Sequence, residues 1–389
     1  MELTIERVTS GTCDTSAWAN ITLGDCISLR RGHDLTWRDR RSGDIPVMGS
    51  AGLAGYHDTA LARGPGVVLG RSGASFGQAH YCESDFWPHN TALYVTDFRR
   101  NDPRFVFYLL SAIDFSRHNS GGAQQSLNRN FIAPIAVALP QPSEQRLIAQ
   151  ALDDVDALLG ALDRLIAKKL DFKQAAMQEL LTGQTRLPGF SGEWEVKRLG
   201  RLGDFLKGSG IRRDEALSGE LPCVRYGELY TIHNDIVRSF ASRISHAVAA
   251  TARRIGRGDV LFAGSGETKE EIGKSVAIVQ DVEAFAGGDI VILRLHGGDP
   301  TFFGYLTNMP QVARQKANRG QGDAVVHISA AALASVEVAV PQEVEQHAIS
   351  RVLSDMDAEL EALEQRRAKT AALKQGMMQE LITGRTRLL

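Results

Sequence analysis

Long apolar runs are missing from this 389-residue chain, and none approaches the ~18–20 residues of a membrane span. The first residues, MELTIERVTSGTC, lack a basic stretch followed by an apolar one, so no export signal is expected. The four cysteines (Cys13, Cys26, Cys82 and Cys223) are far apart with no CxxC pair, which fits reduced thiols and a cytoplasmic location. Charge of one sign is also lacking: 44 Lys and Arg against 46 Asp and Glu leave a net of -2. The strongly basic balance of many nucleic-acid binders is absent, so any contact with nucleic acid must come from local patches. What remains is 43% apolar and 23% charged, an ordinary globular balance. Disorder, collagen and a disulfide-stapled miniature are excluded, and the length suggests two or three domains.

The strongest positive signal is internal repetition. Segment 139–187, beginning LPQPSEQ and ending QELLTGQTRL, aligns without a gap with segment 340–388, beginning VPQEVEQ and ending QELITGRTRL. The offset is 201, and 25 of 49 positions are identical. Fainter landmarks precede each segment. Trp18-x4-Leu23-Gly24 matches Trp194-x4-Leu199-Gly200 at offset 176, which also pairs Gly32 with Gly208 and Pro46 with Pro222. Ser72-Gly73 matches Ser265-Gly266 at offset 193, and DPxFxxYL occurs at 102–109 and 299–306. The second unit is therefore about 25 residues longer, and residues before Trp18 match nothing in the second half. Segments that stayed alike should share one geometric task, while modules that diverged should share a fold and recognise different things.

Residues 143–182 and 344–383 are expected to be long helices, each ~60 Å at 1.5 Å per residue. Ile148, Leu152, Val155, Leu159, Leu162 and Ile166 form a stripe with steps of four and three, repeated by Ile349, Leu353, Met356, Leu360 and Leu363. Gly183 and Gly384 stand where a left-handed residue would stop each helix. A narrow seam cannot bury itself, so the two helices are expected to pair with each other. If a pseudo-two-fold axis crosses them the pair is antiparallel, with a module at either end. The alternative is a pair of ordinary core helices in one domain.

Residues 1–138 and 188–339 read differently. Short β-type runs at 66–69, 91–95, 260–263 and 289–295 alternate with Gly, Asn, Asp and Pro turns, with a short helix from Pro103 to about Phe115. Each module is expected to be a mixed α/β globule. The first has 13 Arg, no Lys and 13 acids. Its basic residues cluster at Arg30-Arg31, at Arg38, Arg40 and Arg41, and at Arg99, Arg100 and Arg104. The second clusters at Lys207, Arg212 and Arg213, at Arg253, Arg254 and Arg257, and at Arg314, Lys316 and Arg319. Arginine's planar fork suits phosphate and guanine edges. Gly-rich stretches beside these clusters (Gly70-Arg71-Ser72-Gly73, Ser120-Gly121-Gly122, Gly264-Ser265-Gly266) would let backbone come close to a ligand.

Catalytic motifs fail one by one. Gly273-Lys274-Ser275 ends like a phosphate-binding loop, but the required earlier glycine is Thr268. Gly264-x-Gly266 lacks its third glycine, since position 269 is Lys. Asp259 with Glu267-x-Lys269 faintly resembles a metal-dependent nuclease site, yet the sister module has Arg71-Ser72-Gly73-Ala74 there. His80-x-Cys82 offers two metal ligands without partners. Paired carboxylates, a Ser/His constellation common to both halves and an adenine-methyltransferase signature are all missing.

Taken together, a module, PQ-x2-EQ, a long helix ending QELxTGxTRL, and then the same again resemble the specificity subunit of a type I restriction-modification system, over essentially the whole chain. The resemblance implies an α/β (α+β) fold. Two homologous target-recognition domains, 1–138 and 188–339, would be joined by conserved spacer helices, 139–187 and 340–389, in an antiparallel, pseudo-two-fold coiled coil. It implies that each domain reads one half of a bipartite, asymmetric site on double-stranded DNA. The helices would set the gap. Two modification subunits would dock and methylate adenine with S-adenosylmethionine they bind themselves; restriction subunits driven by ATP would join, and ATP and Mg would also sit on partners. The chain itself would be non-catalytic. Candidate DNA contacts are Arg30, Arg31, Arg40 and Arg71 in the first domain and Lys207, Arg212, Arg213 and Lys269 in the second, mostly to phosphates. Candidate partner contacts are Glu144, Gln145, Glu345 and Gln346. Two alternatives stay open: a coiled-coil scaffold that does not read DNA, and a methyltransferase or nuclease with an unrecognised site.

Overall fold

The computed structural model describes residues 18–118, 125–212, 214–216, 219–322 and 325–388. Cys13, the Ser120-Gly121-Gly122 stretch and Arg213 lie outside the described residues. Two compact units emerge, Met1–Arg164 with Glu364–Leu389, and Leu165–Leu363.

In the first unit a four-stranded antiparallel sheet runs in the order Ser28–Arg31, Ala92–Asp97, Gly66–Gly70, Ala79–Cys82. A second sheet orders Gly52–His57, Ile45–Gly49 and Trp87–Pro88. The strand Ala19–Thr22 closes the module against Ala136–Leu139, just before the long helix begins. Val67, Leu69, Leu93 and Val95 bury one sheet face against Phe105 and Leu109 of the helix Pro103–Ala112. That helix shows why Asp-Pro recurs. Asp102 caps it, its carboxylate accepting from the amides of Arg104 and Phe105, and proline at the first helical position loses no hydrogen bond. Asp299 caps Pro300–Leu306 in the same way. The first of these helices ends before the expected Phe115, because Ile113 is extended; Phe115–His118 forms a separate 3-10 turn.

The second unit carries a five-stranded sheet, Gly203–Lys207, Ile290–Leu295, Asp259–Ala263, Ser275–Ala277, Asp235–Ile236. Beside it lies a four-stranded one, Ser242–Ile244, Leu221–Val224, Ala284–Ala286, Arg253–Ile255. Glu195–Arg198 pairs with Glu337–Val340 at its root, as Ala19–Thr22 does with Ala136–Leu139 in the first unit. The landmark glycines Gly32 and Gly208 stand where a Cβ would come within 2.1 Å and 1.9 Å of a backbone oxygen, so only glycine fits.

The long helices span Pro142–Leu180 and Glu343–Leu381, one residue earlier at the start and two shorter at the end than expected. Gly183 and Gly384 take φ of 70° and 72°, the left-handed stop. The expected four-part division is regrouped, since the boundary between units falls inside both helices. The start of the first helix and the end of the second share the first module's core through Ile148, Leu152, Leu381 and Ile382. Leu180, Leu181, Ile349 and Leu353 do so in the second unit. Within each unit the helix segments run antiparallel. In the first, Asp163, Asp156 and Glu144 meet Arg367, Lys374 and Arg387. In the second, Lys169, Lys173 and Arg186 meet Glu359, Asp357 and Glu345.

Candidate nucleic-acid interface

The duplicated Glu-Gln pairs point inward, which corrects their assignment as partner contacts. Glu144 and Gln145 are 1% and 0% exposed, and Glu345 and Gln346 are 2% and 6%. Arg387 donates from Nε and Nη2 to Glu144 at 2.7 and 2.8 Å, and the Trp18 indole N–H adds a third bond. Burial pushes the Glu144 carboxyl up, but the bonds from Arg387, the Leu388 amide and Trp18 outweigh it and hold it below the usual range. Arg186 grips Glu345 identically, both bonds 2.6 Å, which raises the guanidinium above its ordinary value. The glutamines tie each helix to its module. Gln145 accepts from the Asp102 amide and donates to Asn101 and the Pro140 carbonyl; Gln346 accepts from the Asp299 amide and donates to the Pro341 carbonyl.

A second duplicated tie uses tyrosine. Tyr108 donates to Asp153 and Asp156, and Lys374 pairs with Asp156. Tyr305 donates to Asp357, which also receives Lys173 and Arg238. Burial, and then the acceptor carboxylates, push both phenols well above the tyrosine range, so they stay protonated donors. Each module is thus fastened to its helix segments by the same residues at corresponding positions.

On this seat the candidate DNA contacts fall into groups. Arg31 ends a strand opposite Leu93, and Lys207 ends the corresponding strand opposite Val291. Both are exposed. Arg71 lies near Arg31: burial, and then the Arg31 charge, lower its affinity for a proton, and its Nε is buried without a hydrogen-bond partner. Beside Lys207 stands Arg253, whose Nε donates to the Lys207 carbonyl at 3.1 Å. Among the described residues none of these four forms an ion pair. Two neighbouring cations without an ion-pair partner make an anion-favouring spot in each module. Arg253 stands in an Arg253-Arg254-Arg257 run, and only the tertiary structure separates it from Arg254, which pairs with Glu283.

The remaining candidates are not brought to these spots. Arg30 is exposed on the strand beside Arg31. Arg40 is half-buried, donating to the Ala54 carbonyl. Arg212 is exposed near Glu215, and Lys269 is exposed in a run with Glu267, Glu270 and Glu271. The Arg314, Lys316, Arg319 cluster is not a surface patch. Lys316 is 2% exposed and bonds the Gly273 carbonyl, while Arg319 bonds Ser335 and Gln315. The nuclease-like Asp259 is 2% exposed and locked by Arg294, both bonds 2.9 Å. Among the described residues no cluster of three or more His, Cys, Asp or Glu could hold a metal, and no helix is long and apolar enough to cross a membrane.

These features define a duplicated α/β fold seated on long paired helices. The family model for the type I restriction modification DNA specificity domain matches residues 15–170 and 191–372, and the chain belongs to that family. It is 22% identical over 331 residues to a putative type I restriction enzyme specificity subunit of Haemophilus influenzae, covering 82% of this chain and 81% of that one. A type I restriction enzyme specificity subunit of Escherichia coli is 25% identical over 146 residues, and that match spans 36% of each chain. Among solved structures, the type I restriction-modification S subunit of M. genitalium superposes with a TM-score of 0.64 at 14% identity, over 94% of this chain and 96% of that one. A chain of another type I R-M system, solved for its assembly and conformational transition, gives 0.57 at 15% identity, over 95% and 98%.

Proposed function

We propose that this chain is the DNA-reading subunit of a type I restriction-modification complex, each module recognising one half of a bipartite site. The observation that carries this reading is the duplicated seat. Glu144–Arg387 with Tyr108–Asp156–Lys374, and Glu345–Arg186 with Tyr305–Asp357–Lys173, fasten two divergent modules to the paired helices by the same chemistry. Matching seats under different surfaces suit two readers that recognise different things.

Arg31 with Arg71, and Lys207 with Arg253, would hold phosphates, which position a duplex without reading it. Arg30, Arg40, Arg212, Arg213 and Lys269 remain candidate contacts. Two modification subunits would dock on the chain and bring S-adenosylmethionine, and restriction subunits would bring ATP and Mg. The chain would contribute no catalytic group of its own and would work in the cytoplasm. The test is selection from a random double-stranded DNA library by the chain assembled with its modification subunit. Enrichment of two short half-sites at a fixed gap supports the reading; enrichment of no sequence overturns it.

A further inference from the structure

The two modules differ most at one place. Strands Ile45–Gly49 and Leu221–Val224 occupy matching positions, each with an antiparallel partner on one side and a parallel one on the other. In the first module only Ser50 and Ala51 separate this strand from its antiparallel partner Gly52–His57. In the second, the 17 residues 225–241 intervene before Ser242–Ile244. This accounts for most of the extra length of the second repeat.

The first half of the insert is held rigidly. Leu229 is 0% exposed in a core with Val224, Leu261 and Ala263. Glu228 is 2% exposed and takes Arg225 Nε at 3.0 Å and the Ser242 hydroxyl. Tyr230 donates its hydroxyl to the Ser265 carbonyl at 3.0 Å, and Lys274 donates to the Tyr230 carbonyl. These anchors leave Tyr226 outward, 44% exposed, with Thr231 exposed beside it. Open cavities of about 470 Å3 and 580 Å3 flank it, and Tyr226, Gly227 and Thr231 line both. Gly227 and Gly288 have nothing within 4 Å of a Cβ position, so the backbone there is open to approach.

A 17-residue insert loses conformational entropy on ordering, and an exposed ring gains little burial in return. A pre-set aromatic between two open clefts therefore suits an external ligand. The local charge favours a base over a phosphate. Arg225 is neutralised by Glu228, Lys274 is held by the Tyr230 carbonyl and the Asn234 side chain, and the acids Asp289, Glu267 and Glu271 line the clefts. Base edges, unlike phosphates, offer donors, acceptors and thymine methyls together.

We propose that Tyr226, with Thr231, reads a base of the half-site bound by the second module. The ring packs on the base edge and the hydroxyls meet its hydrogen-bonding groups. This deepens the DNA-reading function and rests on it.

The experiment is library selection with the complete complex, carrying the wild-type chain, Tyr226→Phe, Tyr226→Ala or Thr231→Ala. The expected result is that Tyr226→Ala relaxes discrimination on the order of tenfold or more at one or two adjacent positions of one half-site, the other half-site keeping its preference. Tyr226→Phe, which keeps the ring, should lose only the hydroxyl's share. If wild type selects a site and all three variants select it with unchanged preference, the assignment is overturned. Loss of modification-subunit binding with unchanged preference also overturns it and places Tyr226 in a protein interface. A wild-type complex that enriches no sequence overturns the DNA-reading function itself.

Discussion

Arg387 closes a two-pronged bond on Glu144, 243 residues earlier in the chain, and Arg186 does the same on Glu345. Each repeat's tail is therefore caught by the other repeat's helix start. Glu144 and Glu345 are almost fully buried, so each arginine neutralises a charge that would otherwise sit in a low-dielectric interior.

Removing one partner should cost more than removing both. Arg387→Ala should destabilise the chain by roughly 3–5 kcal/mol, because it leaves Glu144 charged and buried. Arg387→Ala with Glu144→Leu should recover part of that. Denaturant titration of the single and double variants checks the order. The folded Glu144 carboxyl lies below its ordinary range, so its contribution is present above about pH 4.3 and is lost as pH falls through the lower, folded value. In Glu144→Gln this acid-side loss should shrink.

At Lys316 stability also rises with pH, but here the buried charge costs stability instead of contributing to it. Burial pushes its amine down to about 7, while the amine donates to the Gly273 carbonyl and lies over the Phe262 ring. The unfolded chain binds this proton up to about pH 10.4, while the folded chain releases it near 7. Stability should thus rise with pH between those values, the penalty being complete below 7. Lys316→Met should flatten that rise and stabilise the chain at pH 6.5. Unfolding midpoints at pH 6.5 and 9 decide it; no difference between wild type and variant would refute this account.

The paired cations should announce themselves through salt. Arg31→Ala with Arg71→Ala should weaken binding to every sequence alike and lower the slope of log affinity against log salt by about two, as should Lys207→Ala with Arg253→Ala. A changed half-site preference with an unchanged slope would make them base readers instead.

Lengthening the helices tests their role in spacing. Four residues added to each long helix, ~6 Å, should shift the preferred gap between half-sites by roughly one or two base pairs at ~3.4 Å each, with both half-sites unchanged. Four residues at Ala161 alone should instead strain the opposing ties and lower stability. Methylation mapping in cells and thermal melting read the two outcomes.

Much of this was legible locally. The helix start at Pro103 was legible because proline at the first helical position acts within one turn. The seam Ile148, Leu152 and Leu162 read as an inward stripe because helix period alone decides which side chains share a face. The role of Glu144 and Glu345 was not legible: their preservation in both repeats is equally consistent with holding a partner protein or holding the chain itself. The fate of the Arg314, Lys316, Arg319 run was not legible because burial depends on what packs over a helix face, here Gly273 and Phe262. Tyr226 carried no local signal, since one tyrosine in a turn looks the same exposed or buried.

By itself, then, the sequence determined the duplication, the two long helices, their caps and the mixed α/β texture of the modules, because repeats, periodicity and capping act over a few residues. That Arg387 meets Glu144, that Arg253 joins Lys207 and that Lys316 is sealed in came from the folded chain alone. Those outcomes depend on which distant surfaces come together, and charge and burial are properties of that encounter.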